Sequence, residues 1–192
     1  MTKQSKLILI VILLNLSYFF VEFFWASAIH SVSLFSDSID FLEDSLTSLI
    51  ALIALGWSLQ KRQLISLFLA LLLMIPSIAT LVMIYNQLQD PIIPESFALG
   101  IVAGGAFIIN CICSLILIPF RRSKNSLLLA TYLSARNDCF SNALMIAAAV
   151  ITLYFPSFWP DLLVGALLFI INFHSAAGII QSSLKERKIT KR

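Results

Sequence analysis

A chain of 192 residues that is 59% hydrophobic, only 12% charged and of mean hydropathy +0.95 is not a soluble domain. Its length allows about six membrane-crossing helices of ~20 residues each, with no room beside them for a large soluble domain. The net charge of +3 says little until the charges are placed, and no nucleic-acid partner is expected.

The fold class is therefore an all-α membrane protein: six transmembrane helices in a single transmembrane domain, 1–192, with no soluble domain. The first helix is expected over about 7–27, LILIVILLNLSYFFVEFFWAS, carrying Asn15 and Glu22. Its apolar run has no small-residue cleavage site, so it reads as a retained helix. The link Ala28–Leu34 leads to a second helix, about 35–58, which holds Asp37, Asp40, Glu43 and Asp44. Gln60-Lys61-Arg62-Gln63 is a tight polar turn. The third helix, about 64–85, should kink at Pro76, which removes a backbone donor. Asn86 to Ser96 is a loop with two prolines. The fourth helix, about 97–119, is loosened by Gly100, Gly104 and Gly105 and carries Asn110. Arg121-Arg122-Ser123-Lys124-Asn125 connects it to a fifth, about 127–154, with Ser134, Arg136, Asn137, Asp138 and Asn142. Pro156 to Pro160 turns into the sixth, about 160–181, with Asp161 near its start and His174 inside. Cys111, Cys113 and Cys139 lie within apolar helices as small hydrophobes, and no disulfide is expected.

Basic residues orient the bundle. Of thirteen Lys and Arg, two precede the first helix, two lie in link 2–3, three in link 4–5 and five in the tail. Links 1–2, 3–4 and 5–6 contain none. Both termini are therefore expected on the cytoplasmic side. The remaining base, Arg136, sits within the fifth helix.

The acids of the second helix carry the functional argument. An unpaired carboxylate at mid-membrane costs ~2.5–3.5 kcal/mol, so four cost on the order of 10 kcal/mol. Taking Asp40 as origin, Asp44 lies about 40° round the helix, Asp37 about 60° and Glu43 about −60°. Asp40 and Asp44 thus stack on one face. Ser134, Asp138 and Asn142 form a matching row on the fifth helix, whereas Arg136 is about 160° from Asp138. Two helices that each present oxygen ligands one turn apart can enclose one cation. The candidate metal ligands are Asp40, Asp44, Asp138, Ser134 and Asn142. Asp37 is expected nearer the outer mouth, as ligand or cap, and Glu43 is a reserve donor. Asn110, Asn142 and Ser134 equally suit interhelical hydrogen bonding. His30 and His174 read as lone, satisfied imidazoles, and Glu22 has Arg136 as its candidate partner.

These residues carry a resemblance. Ser31 to Asp44 (SVSLFSDSIDFLED) resembles the second-helix signature of the cation diffusion facilitator (cation efflux) family, which pairs His or Asp with Asp four residues on. Asn15 and Glu22 resemble its first-helix pattern, Ser134 to Asn142 (SARNDCFSN) its fifth-helix motif, and Asp161-Leu-Leu-Val-Gly165 the start of its sixth helix. The likeness runs over essentially the whole chain. It implies a homodimeric, proton-coupled exporter of divalent transition metals in the cell inner (plasma) membrane. Asp40, Asp44 and Asp138 would be ligands, with position 134 the fourth. Two departures stand out: Ser134 occupies a position held by His or Asp in the family, and a chain ending at Arg192 reads as a short form ahead of the family's C-terminal cytoplasmic domain.

The mechanism this implies is exchange of a divalent cation for protons at the three aspartates, since metal affinity requires deprotonated ligands. An all-oxygen shell favours manganese or iron(II) over zinc, although zinc also accepts carboxylates and is the family's commonest substrate. No tightly bound cofactor is expected beyond the transported Mn, Fe or Zn ion. The alternative is a family-like protein that binds metal without transporting it, or stabilises a partner. An enzyme is not expected: the sequence has no Gly-x-Ser-x-Gly elbow and no His-Glu-x-x-His.

Overall fold

The computed structural model describes residues 3–53, 68, 75, 77–122 and 126–189. Six helices follow in order: α1 (Lys3–Ile29), α2 (Val32–Ile53), α3 (residues 77–89), α4 (Ser96–Leu117), α5 (Ser126–Tyr154) and α6 (Trp159–Ile189). Three are long and apolar enough to cross a membrane, over Gln4–Ile29, Ser96–Phe120 and Thr131–Tyr154, and Trp159–His174 is a shorter apolar helix. The 22 residues of α2 would reach as far, but its four carboxylates set it apart in composition. Phe20, Phe24, Phe97, Leu115 and Phe140 point outward from the bundle, as side chains solvated by lipid do. The chain is an all-helical, multi-pass membrane protein.

Several expected boundaries shift, each for a local reason. The link Ala28–Leu34 contracts to His30-Ser31. His30 adopts φ 55°, the left-handed conformation that ends a helix, and the Ser31 N–H returns to the Ala26 carbonyl at 3.0 Å. The Ser31 hydroxyl then accepts from the Leu34 N–H at 3.2 Å and starts α2. His30 is thus the turn residue of a tight α1–α2 hairpin. α3 continues to residue 89, and Gln87 bonds the Ile92 N–H and carbonyl to hold the two-proline link. Glu95 opens α4 by accepting from Phe97 N at 3.0 Å and Ala98 N at 2.6 Å. α6 runs past the expected end at 181 to Ile189 because Lys185-Glu186-Arg187-Lys188 are good helix formers. The polar turn 60–63, Pro76, residues 123–125 and the last three residues lie outside the described residues.

α2 is the central element, packing on α1, α5 and α6, while α4 packs on α1 and α5. Two apolar cores form along the bundle. One gathers Ile8, Val11 and Ile12 with Cys113, Leu117, Phe120 and Ala135. The other gathers Ala26, Leu34, Leu99, Val102, Ala103, Met145, Ala149 and Leu168. In α1, α4 and α5 the buried asparagines and the buried Glu22 fall between the two sets: Asn15 and Glu22, Asn110, and Asn142. On these three helices a polar belt therefore crosses the bundle between the two apolar cores.

α6 is tied to the first turn of α2. The Asp161 carboxylate accepts from the Ser31 hydroxyl (2.6 Å), the Val32 N–H (2.7 Å), the Ser33 N–H (3.3 Å) and the Ser33 hydroxyl (2.5 Å). It caps a helix to which it is not joined. One turn later Gly165 lets the backbones touch: a Cβ there would lie 2.7 Å from the Val32 carbonyl carbon and 2.8 Å from Ser33 N. Gly165→Ala gains ~1 kcal/mol in helix propensity, but the contact is with backbone and cannot yield cheaply. The expected net result is a loss of about 1–3 kcal/mol, read as a lower unfolding midpoint in detergent.

Candidate metal centre

The face assignment on α2 places its acids differently from one another. Asp44 is only 4% exposed, and Ser134 and Asp138 of α5 both lie within hydrogen-bonding reach of it. Asp138 in turn faces the negative charges of Asp44, Asp40 and Asp37. Asp40 is half-buried and senses Asp37, Glu43 and Asp44. Asn172 of α6 sits beside Asp40, although its buried Nδ2 makes no hydrogen bond of good geometry. Glu43 is half-buried, with Asp44 its neighbouring charge.

The α2–α5 contact thus brings Asp40, Asp44, Asp138 and Ser134 together at the level of the polar belt. These side chains converge without forming a closed cage. Among the described residues, no three His, Cys, Asp or Glu side chains stand in a ready-made metal-ligand arrangement. Carboxylates of like charge repel, and among the described residues no base is recorded beside them. Arg136 is exposed and donates to Asn137 Oδ1 at 3.2 Å, so neither residue is directed to the site.

Two expectations are corrected. Asp37 is not a solvent-exposed cap: it is fully buried, and the Asn142 Nδ2 donates to both its oxygens, at 3.0 and 2.9 Å. Asn142 in turn accepts from Asn110 Nδ2 at 3.5 Å. Asn142 therefore serves Asp37 rather than Asp44. Glu22 is also fully buried, and its neighbour is Asp37 rather than Arg136. A signal for this was in the sequence. Asn15 and Glu22, seven apart, lie about 20° from each other on the helix wheel, and both face inward.

Around this belt the packing is tight. The Tyr18 hydroxyl donates to the Val102 carbonyl at 2.7 Å, and its ring meets Phe41 at 5.2 Å between centroids. Gly105 makes room for that hydroxyl, since a Cβ there would overlap it. Cys113 donates to Asn15 Oδ1 at 3.4 Å, and the Cys111 and Cys139 thiols touch at 3.3 Å across α4 and α5. All three cysteines are free.

In comparison with known families, the model of the cation efflux transmembrane domain aligns with residues 8–186 of this chain. No curated protein matches it.

Proposed function

The chain belongs to the cation efflux family, whose members transport metal cations, and on that premise we propose that it exports a divalent transition-metal ion in exchange for protons at Asp40, Asp44 and Asp138. The observation that carries this reading is Asp44. It is buried at mid-bundle on α2 and meets Ser134 and Asp138 of α5, so one ion could be shared between two helices. A divalent cation supplies the charge that would draw these repelling oxygens into one shell. Protons neutralise the same oxygens when the metal leaves, because protons and metal compete for one set of lone pairs.

Ser134 sets the selectivity in this reading. A hydroxyl leaves the shell all oxygen, which favours manganese or iron(II), with zinc accepted through carboxylates. α2 is the element that must shift relative to α5 for the ion to enter and leave, and its outer turn is pinned to α6 through Asp161. A homodimer in the inner membrane, both termini cytoplasmic, completes the proposal. The family likeness and the Lys and Arg distribution support it.

The test is a panel of metal-sensitivity measurements on cells expressing the chain. Expression is expected to raise tolerance to manganese, iron(II) or zinc, and the Asp44→Asn chain, equally abundant, to confer none. Equal tolerance with and without Asp44 would refute the assignment. A metal-binding protein that does not transport would instead show binding in detergent with no change in tolerance.

A further inference from the structure

Glu22 is the least satisfied charge in the molecule's described interior. It is 0% exposed, and neither Oε1 nor Oε2 has a hydrogen-bond partner. The groups that act on it most strongly are themselves acidic: Asp37 first, then Asp40 and Asp138. Apolar packing would have been served by Leu or Met, and Asp37 stands within hydrogen-bonding reach, so the two carboxylates call for a positive charge between them, a shared proton or a cation.

The surroundings have the donor atoms to hold one. Asp37 lies against Glu22, and behind it stands the amide of Asn142, fully buried, with its Nδ2 turned to Asp37. Asn110 completes the row. Its Nδ2 donates to Asn142 Oδ1, while its own Oδ1 is buried and unpartnered. That orphan oxygen permits a second arrangement. If the Asn142 and Asn110 amides turn over together, Asn142 Nδ2 can donate to Asn110 Oδ1 and Asn142 Oδ1 faces Asp37. Both arrangements use the same atoms. The first suits Asp37 without a cation, because the amide supplies hydrogen. The second suits Asp37 with a cation, because the amide supplies oxygen.

We propose that Glu22, Asp37 and the side-chain oxygen of Asn142 form a second divalent-cation station, separate from the Asp40–Asp44–Asp138 centre. Two of its members lie on helices that the first centre leaves out or uses differently: Glu22 on α1, and Asp37 one turn before Asp40 on α2. Asp37 and Asp44 are seven residues apart, about 10 Å along the axis. Two divalent ions that close repel, so the stations are filled in turn and the ion passes from one to the other. The station rests on the transport reading for its purpose but not for its chemistry, because ion binding can be measured without transport.

The experiment is manganese(II) binding to the purified full-length chain in lipid nanodiscs, followed by the electron-spin resonance of the free ion. The chain with Asp44→Asn and Asp138→Asn together is expected to retain one manganese(II) ion, bound at least about 10-fold more weakly than by the wild type. Adding Glu22→Gln should remove it, and adding Glu22→Asp, which keeps the carboxylate, should restore part of it. Glu22→Gln alone should still bind one ion at the first centre, yet transport at least about 10-fold more slowly. Residual binding indifferent to Glu22→Gln would overturn the station, as would no binding once Asp44 and Asp138 are gone. Either result leaves the transport reading standing, since the wild type still binds through its aspartates. A wild type that binds no manganese(II), zinc or iron(II) would overturn both. Glu22→Gln transporting at the wild-type rate would mean that a shared proton satisfies the Glu22–Asp37 pair, and would also overturn the proposal.

Discussion

Asp44→Asn is expected to lower metal transport by roughly 100-fold or more without lowering the unfolding midpoint. Asn retains the volume and one oxygen, so the α2–α5 packing around it survives, but the shell loses a charge and a donor. Of the α2 acids, Asp44 is both buried and in reach of two α5 side chains. Glu43 is half-buried with only Asp44 named beside it. Glu43→Gln is therefore expected to retain most activity. Radiotracer manganese or zinc uptake into proteoliposomes separates the two variants. Equal loss in both would mean that total charge on α2, rather than the face it occupies, is what matters.

Asp161→Ala should do the reverse, damaging the fold first and activity as a consequence. Four donors end on this one carboxylate: two serine hydroxyls and two backbone N–H groups at the start of α2. Hydrogen bonds to a charged group are worth ~1.5–3 kcal/mol each, and removing their shared acceptor leaves the donors buried. The terms do not add fully, and the expected loss is about 3–5 kcal/mol. It should appear as a drop in the unfolding midpoint and as aggregation on size-exclusion chromatography. Asp161→Asn keeps one acceptor oxygen but turns an amide toward some of the same donors, so it should fall between the wild type and Ala. Metal binding per folded molecule should be nearly normal in Asp161→Asn. A normal midpoint in Asp161→Ala would show that the α6 clamp is dispensable.

These two residues mark how much was legible in the chain. Apolar runs of membrane length and the spacing of charged links give the six-helix fold, because lipid leaves few other ways to satisfy a backbone. The α2–α5 row was legible for a similar reason: helical period alone decides that Asp40 shares a face with Asp44, and Ser134 with Asp138 and Asn142. Period cannot say which faces meet. Glu22 was assigned to Arg136 on charge alone, yet Arg136 faces outward and α1 is rotated to bring Glu22 to Asp37. Burial of Asp37 follows from the short His30-Ser31 turn, which lengthens α2 at its start and sets that acid inside. The link between Asp161 and Ser31, 130 positions apart, is a tertiary contact with no local signature. Its trace in sequence was only an acid in the first turn of a helix, with Gly165 one turn on.

The central claim is that metal and protons are exchanged at Asp40, Asp44 and Asp138. Its most direct test loads proteoliposomes with a pH-sensitive dye and adds manganese, iron(II) or zinc outside. The account predicts that metal entry drives protons out, and that Asp40→Asn, Asp44→Asn and Asp138→Asn each abolish this flux. Metal-driven proton movement undiminished in all three variants would contradict it.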